Sequence, residues 1–329
     1  MKVFVTGATG FLGSALVRCA LARGHSVRVL ARSKSDRRNL AGLDVEVIEG
    51  SLEETSRLNA CVRGMDAVFH AAADYRLWVP DPKNMFRTNV EATRQLMLAC
   101  LSHGVNHIVY TSSVATLGLR KDGSPSDEDT PASYEEMIGP YKQSKYRAEE
   151  LVLKLIKDEQ LPARIVYPSA PVGPRDVKPT PTGQMILDAA AGRMPAYVDT
   201  GLNIVHVDDV ADGHWLALEK GDIGGRYILG QQDMTLKEIL EEVAAITGKP
   251  APRVRLPHNL VLPIAYIAEG WARLTGGSTQ VTVDGVRLAK KMMFFSSQRA
   301  RDQLGYQPRP AREAIADAIR WFKEAGYLK

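Results

Sequence analysis

The run Gly7-Ala-Thr-Gly10-Phe-Leu-Gly13 constrains this chain more than any other feature. It directly follows the apolar, strand-like segment Val3–Thr6 and directly precedes the helical pattern Ser14–Arg23, which stops at Gly24. Glycine lets a backbone turn tightly and approach a ligand with no Cβ in the way. The free N–H groups of a helix start then face that ligand and favour negative charge on it. Three glycines across a strand–helix junction are more than a turn needs, so the run predicts a site for a dinucleotide pyrophosphate.

The rest of the N-terminal half repeats the same alternation. Strand patterns fall at Ser26–Ala31, Val45–Ile48, Ala67–Ala71, Asn106–Ser112 and Ala163–Tyr167, and helical patterns at Leu52–Arg63, Val90–His103 and Tyr141–Asp158. Such an order implies a parallel sheet with helices on both faces. The expected fold is α/β: a Rossmann-type, doubly wound sheet over residues 1–167 with a smaller, partly discontinuous C-terminal substrate domain. Five prolines between residues 168 and 183 mark the change of texture. Residues 168–202 and 221–329 are expected to form most of the second domain. Residues 203–220 are expected to return to the first, with Asn203–Val207 rejoining the main sheet. Arg226–Leu229 is a further short strand, and Thr235 and Glu238 form a capping-box pattern at the head of a helix over Leu236–Thr247.

Composition excludes several partners. The net charge of +4 over 329 residues is spread without a Lys/Arg run, so no nucleic acid is expected. Cys19, Cys61 and Cys100 are odd in number and form no C-x-x-C pair, which points away from disulfides and metal and towards a reducing, cytoplasmic setting. The most apolar late stretch, Leu260 to Ala268, is broken by Pro263 and is far shorter than the ~20 residues of a membrane span.

Two further places carry chemistry. The second strand runs into Ala31-Arg-Ser-Lys34, where a site for the free ribose hydroxyl of NAD has an acid. Arg32, with Ser33, Lys34 and Arg37, suits a 2′-phosphate instead, so NADP is expected over NAD. Tyr141 and Lys145 are one helical turn apart on one face. An ammonium at ~4 Å would favour the phenolate by roughly 4 kcal/mol at an effective dielectric near 20, bringing proton exchange towards neutral pH. Ser113 ends the fifth strand, where open parallel sheets bind ligands, and is placed to hydrogen-bond the reacting oxygen.

With these residues the chain resembles the extended short-chain dehydrogenase/reductases, through Thr6–Gly13, His70–Ala73, Asn89, Thr111–Ser113, Tyr141–Lys145, Pro168–Asp176 and Val205–Asp209. It is most similar to the hopanoid-associated sugar epimerases, relatives of dihydroflavonol 4-reductases, through Ala73–Trp78, Ser113–Gly118, Val172–Gly183 and Met194–Gly201. The resemblance implies a catalytic set of Ser113, Tyr141 and Lys145. It implies a cofactor site of Gly7, Thr9, Gly10, Phe11, Leu12, Gly13, Arg32, Ser51, Leu52, Ala71, Ala72, Ala73, Asn89, Pro168 and Ala170, shared by Tyr141 and Lys145. Asp74, Tyr75, Trp78, Arg175 and Thr180 would border the substrate. Ser51 and Tyr167 depart from the family's usual Asp and Asn. A homodimer through the helices Val90–His103 and Tyr141–Asp158 is implied, as is a small-molecule sugar or carbonyl substrate. Epimerisation of a sugar is the first expectation, with Arg175, Lys178, Arg193, Arg253 and Arg255 as cations for a nucleotide diphosphate. NADPH-dependent reduction of an aldehyde or ketone is the alternative.

Overall fold

The computed structural model describes residues 1–76, 79, 81–275 and 282–328, with the side chains of 264 and 271–275 excepted. Its strands in chain order are β1 (Lys2–Thr6), β2 (Ser26–Ala31), β3 (Glu46–Glu49), β4 (Ala67–His70), β5 (His107–Thr111), β6 (Ala163–Pro168), β7 (Ala170–Val172), β8 (Ala196–Val198), β9 (Gly201–His206), β10 (Arg226–Leu229), β11 (Gln232–Thr235), β12 (Val254–Leu256) and β13 (Met292–Met293). The helices are α1 (Phe11–Ala22), α2 (Thr55–Val62), α3 (Pro82–Phe86), α4 (Ala92–Ser102), α5 (Gly139–Glu159), α6 (Pro181–Ala191), α7 (Val207–Lys220), α8 (Leu236–Thr247), α9 (His258–Thr275), α10 (Val283–Leu288), α11 (Gln298–Leu304) and α12 (Ala311–Glu324).

Seven parallel strands form the main sheet, in the order β10-β6-β5-β4-β1-β2-β3. Both faces of its centre are covered, so the central strands β1, β4, β5 and β6 read as largely continuous apolar runs rather than alternating ones. The period of two divides each run between two cores. Val3 and Val5 of β1 face α1 and α7, packing with Leu16, Val210 and Trp215. Phe4, between them, faces the other way into the cluster that holds Leu58, Leu96, Ala148 and Val152 of α2, α4 and α5. The glycine loop joins β1 to α1 at the carboxyl end of the central strands, where ligands of open α/β sheets sit.

The return to this sheet differs from the expectation. Residues 203–207 do not rejoin it: β9 pairs with β7, β11 and β13 in a second sheet. The chain crosses back through α7, which packs along α1, and then adds β10 beside β6, with Tyr227 opposite Val166. A helical crossover is what a parallel neighbour requires, and β9 leads into that helix rather than being the neighbour itself. Around the second sheet, α6, α8 and α12 close a third core with Ile186, Ile204, Ile239, Ile315 and Phe322. The capping box at α8 forms as its sequence predicts, with Thr235 Oγ1 accepting from the Glu238 N–H at 3.2 Å. Among the described residues no helix is long and apolar enough to cross a membrane.

Candidate active site

The glycine loop is shaped by steric need. Gly7 lies at φ +72°, and a Cβ there would meet the Ala72 backbone at 2.9 Å. A Cβ on Gly13 would stand 2.1 Å from the Gly7 carbonyl oxygen, so this glycine lets helix and strand close together. A Cβ on Gly10 would meet only the Gly7 carbonyl oxygen, at 3.2 Å, so this glycine keeps an approach open. Gly10 caps α1 with no side-chain bond, and the N–H groups of Phe11, Leu12 and Gly13 have no acceptor among the described residues. A helix start left with free donors beside a glycine is a fitting cradle for a pyrophosphate.

One hydrogen-bond chain ties this loop to its neighbours. The Ala72 N–H donates to Thr6 Oγ1 at 3.1 Å. Thr6 Oγ1 lies 2.7 Å from His70 Nδ1, and His70 Nε2 lies 2.8 Å from Thr93 Oγ1. Thr93 spends its single proton on the Asn89 carbonyl at 2.7 Å. It therefore accepts from His70, which fixes the proton on Nε2 and makes Nδ1 the acceptor of the Thr6 hydroxyl. Burial, aided by the charge of Lys145, pushes His70 down to about 3, so the ring is neutral at physiological pH. Asn89 continues the chain to Asp74 and to Ser144 of α5, whose hydroxyl donates to the Tyr141 carbonyl at 2.8 Å. Thr6, His70, Thr93 and Ser144 carry a wiring that no spacing rule reveals.

At the end of β2, Arg32 and Lys34 are exposed and have no ion-pair partner among the described residues. Arg37 does not stand with them, because it is paired with Glu49 at 2.9 Å. Past β3, the Ser51 hydroxyl accepts from the Glu53 N–H at 3.3 Å, and Leu52 packs against the core beneath α2.

Ser113, Tyr141 and Lys145 meet where β5 ends against α5. The Tyr141 hydroxyl lies beside Ser113, whose oxygen accepts from the Ala115 N–H at 3.1 Å. Lys145 is not among the groups that shift the Tyr141 hydroxyl. Burial raises the Tyr141 hydroxyl above its ordinary value, and the neighbouring Ser113 offsets this only in part. Lys145 is drawn instead to the β5 edge: its Nζ donates to the Thr111 carbonyl at 2.7 Å and to the Tyr110 hydroxyl at 3.2 Å. Burial lowers it to about 8, against the opposing pull of Glu149.

Glu149 completes this face of α5 and was not a candidate from sequence. It stands four residues beyond Lys145, as Lys145 does beyond Tyr141, and that spacing was the available signal. Its buried carboxylate accepts from Ser112 at 2.5 Å, Thr116 at 2.7 Å and Tyr167 at 2.8 Å. Tyr167, the departure from the family's Asn, is thus fully buried, with its hydroxyl on Glu149.

Three of the five expected substrate residues engage partners within the chain. Asp74 is paired with Arg76 at 2.5 Å, and Tyr75 is 45% exposed. Trp78 lies outside the described residues. Arg175 stands beside the glycine loop: Asn39 Nδ2 donates to its carbonyl at 3.2 Å and to that of Thr9 at 3.3 Å. Its guanidinium pairs with Asp208, and it holds the left-handed backbone at φ 75°. Thr180 caps α6, accepting from the Gly183 N–H at 3.1 Å and donating to Asp176 at 2.9 Å. Pro168 closes β6 and Ala170 opens β7. Of the cations expected for a diphosphate, Arg193 is paired with Asp188 and Arg255 with Asp199, as Arg175 is with Asp208.

Three comparisons bear on this site. The model of the NAD dependent epimerase/dehydratase family matches residues 3–230. A putative dihydroflavonol 4-reductase from Synechocystis sp. is 42% identical over 99% of this chain and 96% of its own length. Sterol demethylase protein B from Methylococcus capsulatus is 34% identical over the whole of both chains. The crystal structure of gox2253 superposes with a TM-score of 0.90 at 55% identity, covering 100% of this chain and 99% of that one.

Proposed function

The chain belongs to the NAD dependent epimerase/dehydratase family, and on that premise we propose that it reduces an aldehyde or ketone carbonyl with NADPH, with Tyr141 as the proton donor. The pairing of Arg175, Arg193 and Arg255 with carboxylates of the chain itself, which leaves few cations for a nucleotide diphosphate, carries this reading. Burial raises the Tyr141 hydroxyl, so the phenol holds a proton at neutral pH that it can deliver to the substrate oxygen. Reduction needs a proton delivered to the carbonyl oxygen, whereas epimerisation begins by removing one from a hydroxyl. A bound nicotinamide supplies the hydride. Ser113 hydrogen-bonds the carbonyl oxygen beside Tyr141. Lys145 holds the β5 end that carries Ser113 against the helix that carries Tyr141.

The free N–H groups of Phe11, Leu12 and Gly13 take the pyrophosphate, with Gly7, Thr9 and Gly10 shaping their approach. Arg32 and Lys34 take the 2′-phosphate. Ser51 and Leu52 lie towards the adenine, Ala71–Ala73 line the dinucleotide, and Asn89 steadies them. Pro168 and Ala170 border the nicotinamide end. Three of the five cations expected for a nucleotide diphosphate are engaged by carboxylates of the chain itself, which favours a substrate without that group. The name of the Synechocystis relative points the same way.

Sugar epimerisation is the second reading, favoured by the family's own description. Purified protein mixed with NADPH and a panel of carbonyl compounds separates the two. Stoichiometric loss of the reduced-nicotinamide absorbance supports reduction. Interconversion of isomers without that loss overturns it. We also propose a homodimer through α4 and α5, which light scattering checks.

A further inference from the structure

Nine large apolar side chains are exposed among the described residues, and five of them lie within residues 254–267: Val254, Leu256, Leu260, Tyr266 and Ile267. That concentration is a patch rather than scatter. On α9, Leu260, Pro263, Tyr266 and Ile267 recur at helical spacing and form one outward stripe. The inward stripe, Val261, Leu262 and Ala265, already packs on Val283 and Val286. The helix is therefore apolar on both sides, and its outer side, with Ile267 74% exposed, has no cover among the described residues.

The rim of the patch is basic. Arg253, Arg255, Arg287, Lys290 and Lys291 are all exposed. Arg255 is opposed by Asp199 and Arg287 by Asp284, while Arg253, Lys290 and Lys291 have no ion pair among the described residues. The His258 ring bonds the Ala289 carbonyl at 2.8 Å, which fastens the first turn of α9 beside Lys290 and Lys291.

This face adjoins the site. Asp284 of α10 sits so close to Gly139, two residues before Tyr141, that a Cβ there would meet its carboxylate at 2.8 Å. Lys291 is near enough to Lys142, the residue after Tyr141, to add to the effect of burial in lowering it.

We propose that the outer face of α9, with its basic rim, seats on an anionic lipid surface and holds the neighbouring active site against it. The charge chooses this occupant over a second copy of the chain. A self-contact through the patch would bring two basic rims together, whereas anionic headgroups neutralise the rim while the apolar stripe enters the interface. The claim stands apart from the reading of the active site, because its test needs no substrate.

The test is co-sedimentation of the full chain with vesicles of mixed phosphatidylglycerol and phosphatidylcholine, against vesicles of phosphatidylcholine alone. Binding to the mixed vesicles and weak binding to the neutral ones is expected. Leu260→Ser with Ile267→Ser should lower that binding by at least about ten-fold. Lys290→Glu with Lys291→Glu should lower it several-fold and remove most of its salt dependence. All four positions are on the surface, so unchanged circular dichroism and thermal midpoint show that the variants fold. Equal sedimentation with and without mixed vesicles, or variants that bind as the parent does, would overturn the proposal. So would light scattering that finds a dimer split by Leu260→Ser with Ile267→Ser.

Discussion

The side-chain amide of Asn89 closes onto both backbone groups of Asp74, accepting from its N–H at 2.7 Å and donating to its carbonyl at 2.9 Å. The remaining amide proton goes to Ser144 at 2.9 Å, so one buried residue joins the alanine loop to the helix bearing Tyr141. Asn89→Ala removes all three of these bonds. The expected loss is about 2–4 kcal/mol of stability, read by urea denaturation, with weaker dinucleotide binding in a fluorescence titration. Asn89→Asp keeps the acceptor and should lose less of both.

Tyr141→Phe removes the proton donor and keeps the ring that fills its place. Turnover should fall by about 10²–10⁴-fold while the dinucleotide dissociation constant changes little. Steady-state rates beside a binding titration check this. A variant with near-normal turnover would remove Tyr141 from the chemistry.

Arg32 is exposed and without an ion-pair partner among the described residues, so its replacement disturbs no internal salt bridge. Arg32→Asp should weaken NADPH by about ten- to a hundredfold, the worth of a charge-assisted bond plus repulsion, and NADH far less. Equal effects on both would mean that Arg32 does not read the 2′-phosphate.

His70 gives the fold an acid limit. Its value in the folded chain, about 3, lies below the ordinary 6.5, so between these the unfolded chain binds the extra proton. Stability is complete above about pH 6.5 and declines towards pH 3, at a slope of up to ~1.4 kcal/mol per unit. His70→Gln removes the titrating group. Denaturation curves at pH 7 and pH 4 should differ less for the variant than for the parent.

The Tyr167 hydroxyl donates to the buried Glu149 carboxylate at 2.8 Å. Tyr167→Phe should cost about 1.5–3 kcal/mol, the range for a bond to a charged group. Dinucleotide affinity should be unchanged, since the side chain faces the core. Denaturant midpoints and a binding titration separate the two effects.

Local chemistry made much of this molecule legible from sequence. The glycine run, the strand–helix alternation and the Thr235–Glu238 cap each act within a few residues, so order along the chain carries them. The same holds for the placement of Ser113 and Tyr141 at the sheet's carboxyl edge. Tertiary structure decided what depends on residues far apart in sequence. Whether β9 or β10 borders β6 is a matter of which strand the α7 crossover delivers to the edge. The Tyr141 hydroxyl is shifted by burial first, while Lys145 bonds Thr111 and Tyr110 of β5. Arg175 turned to Asp208, and Glu149 gathered three hydroxyls, two from the segment just after β5 and one from β6. A side chain's chemistry is written in its sequence. Its partners are chosen by packing, which brings together groups that no local spacing relates.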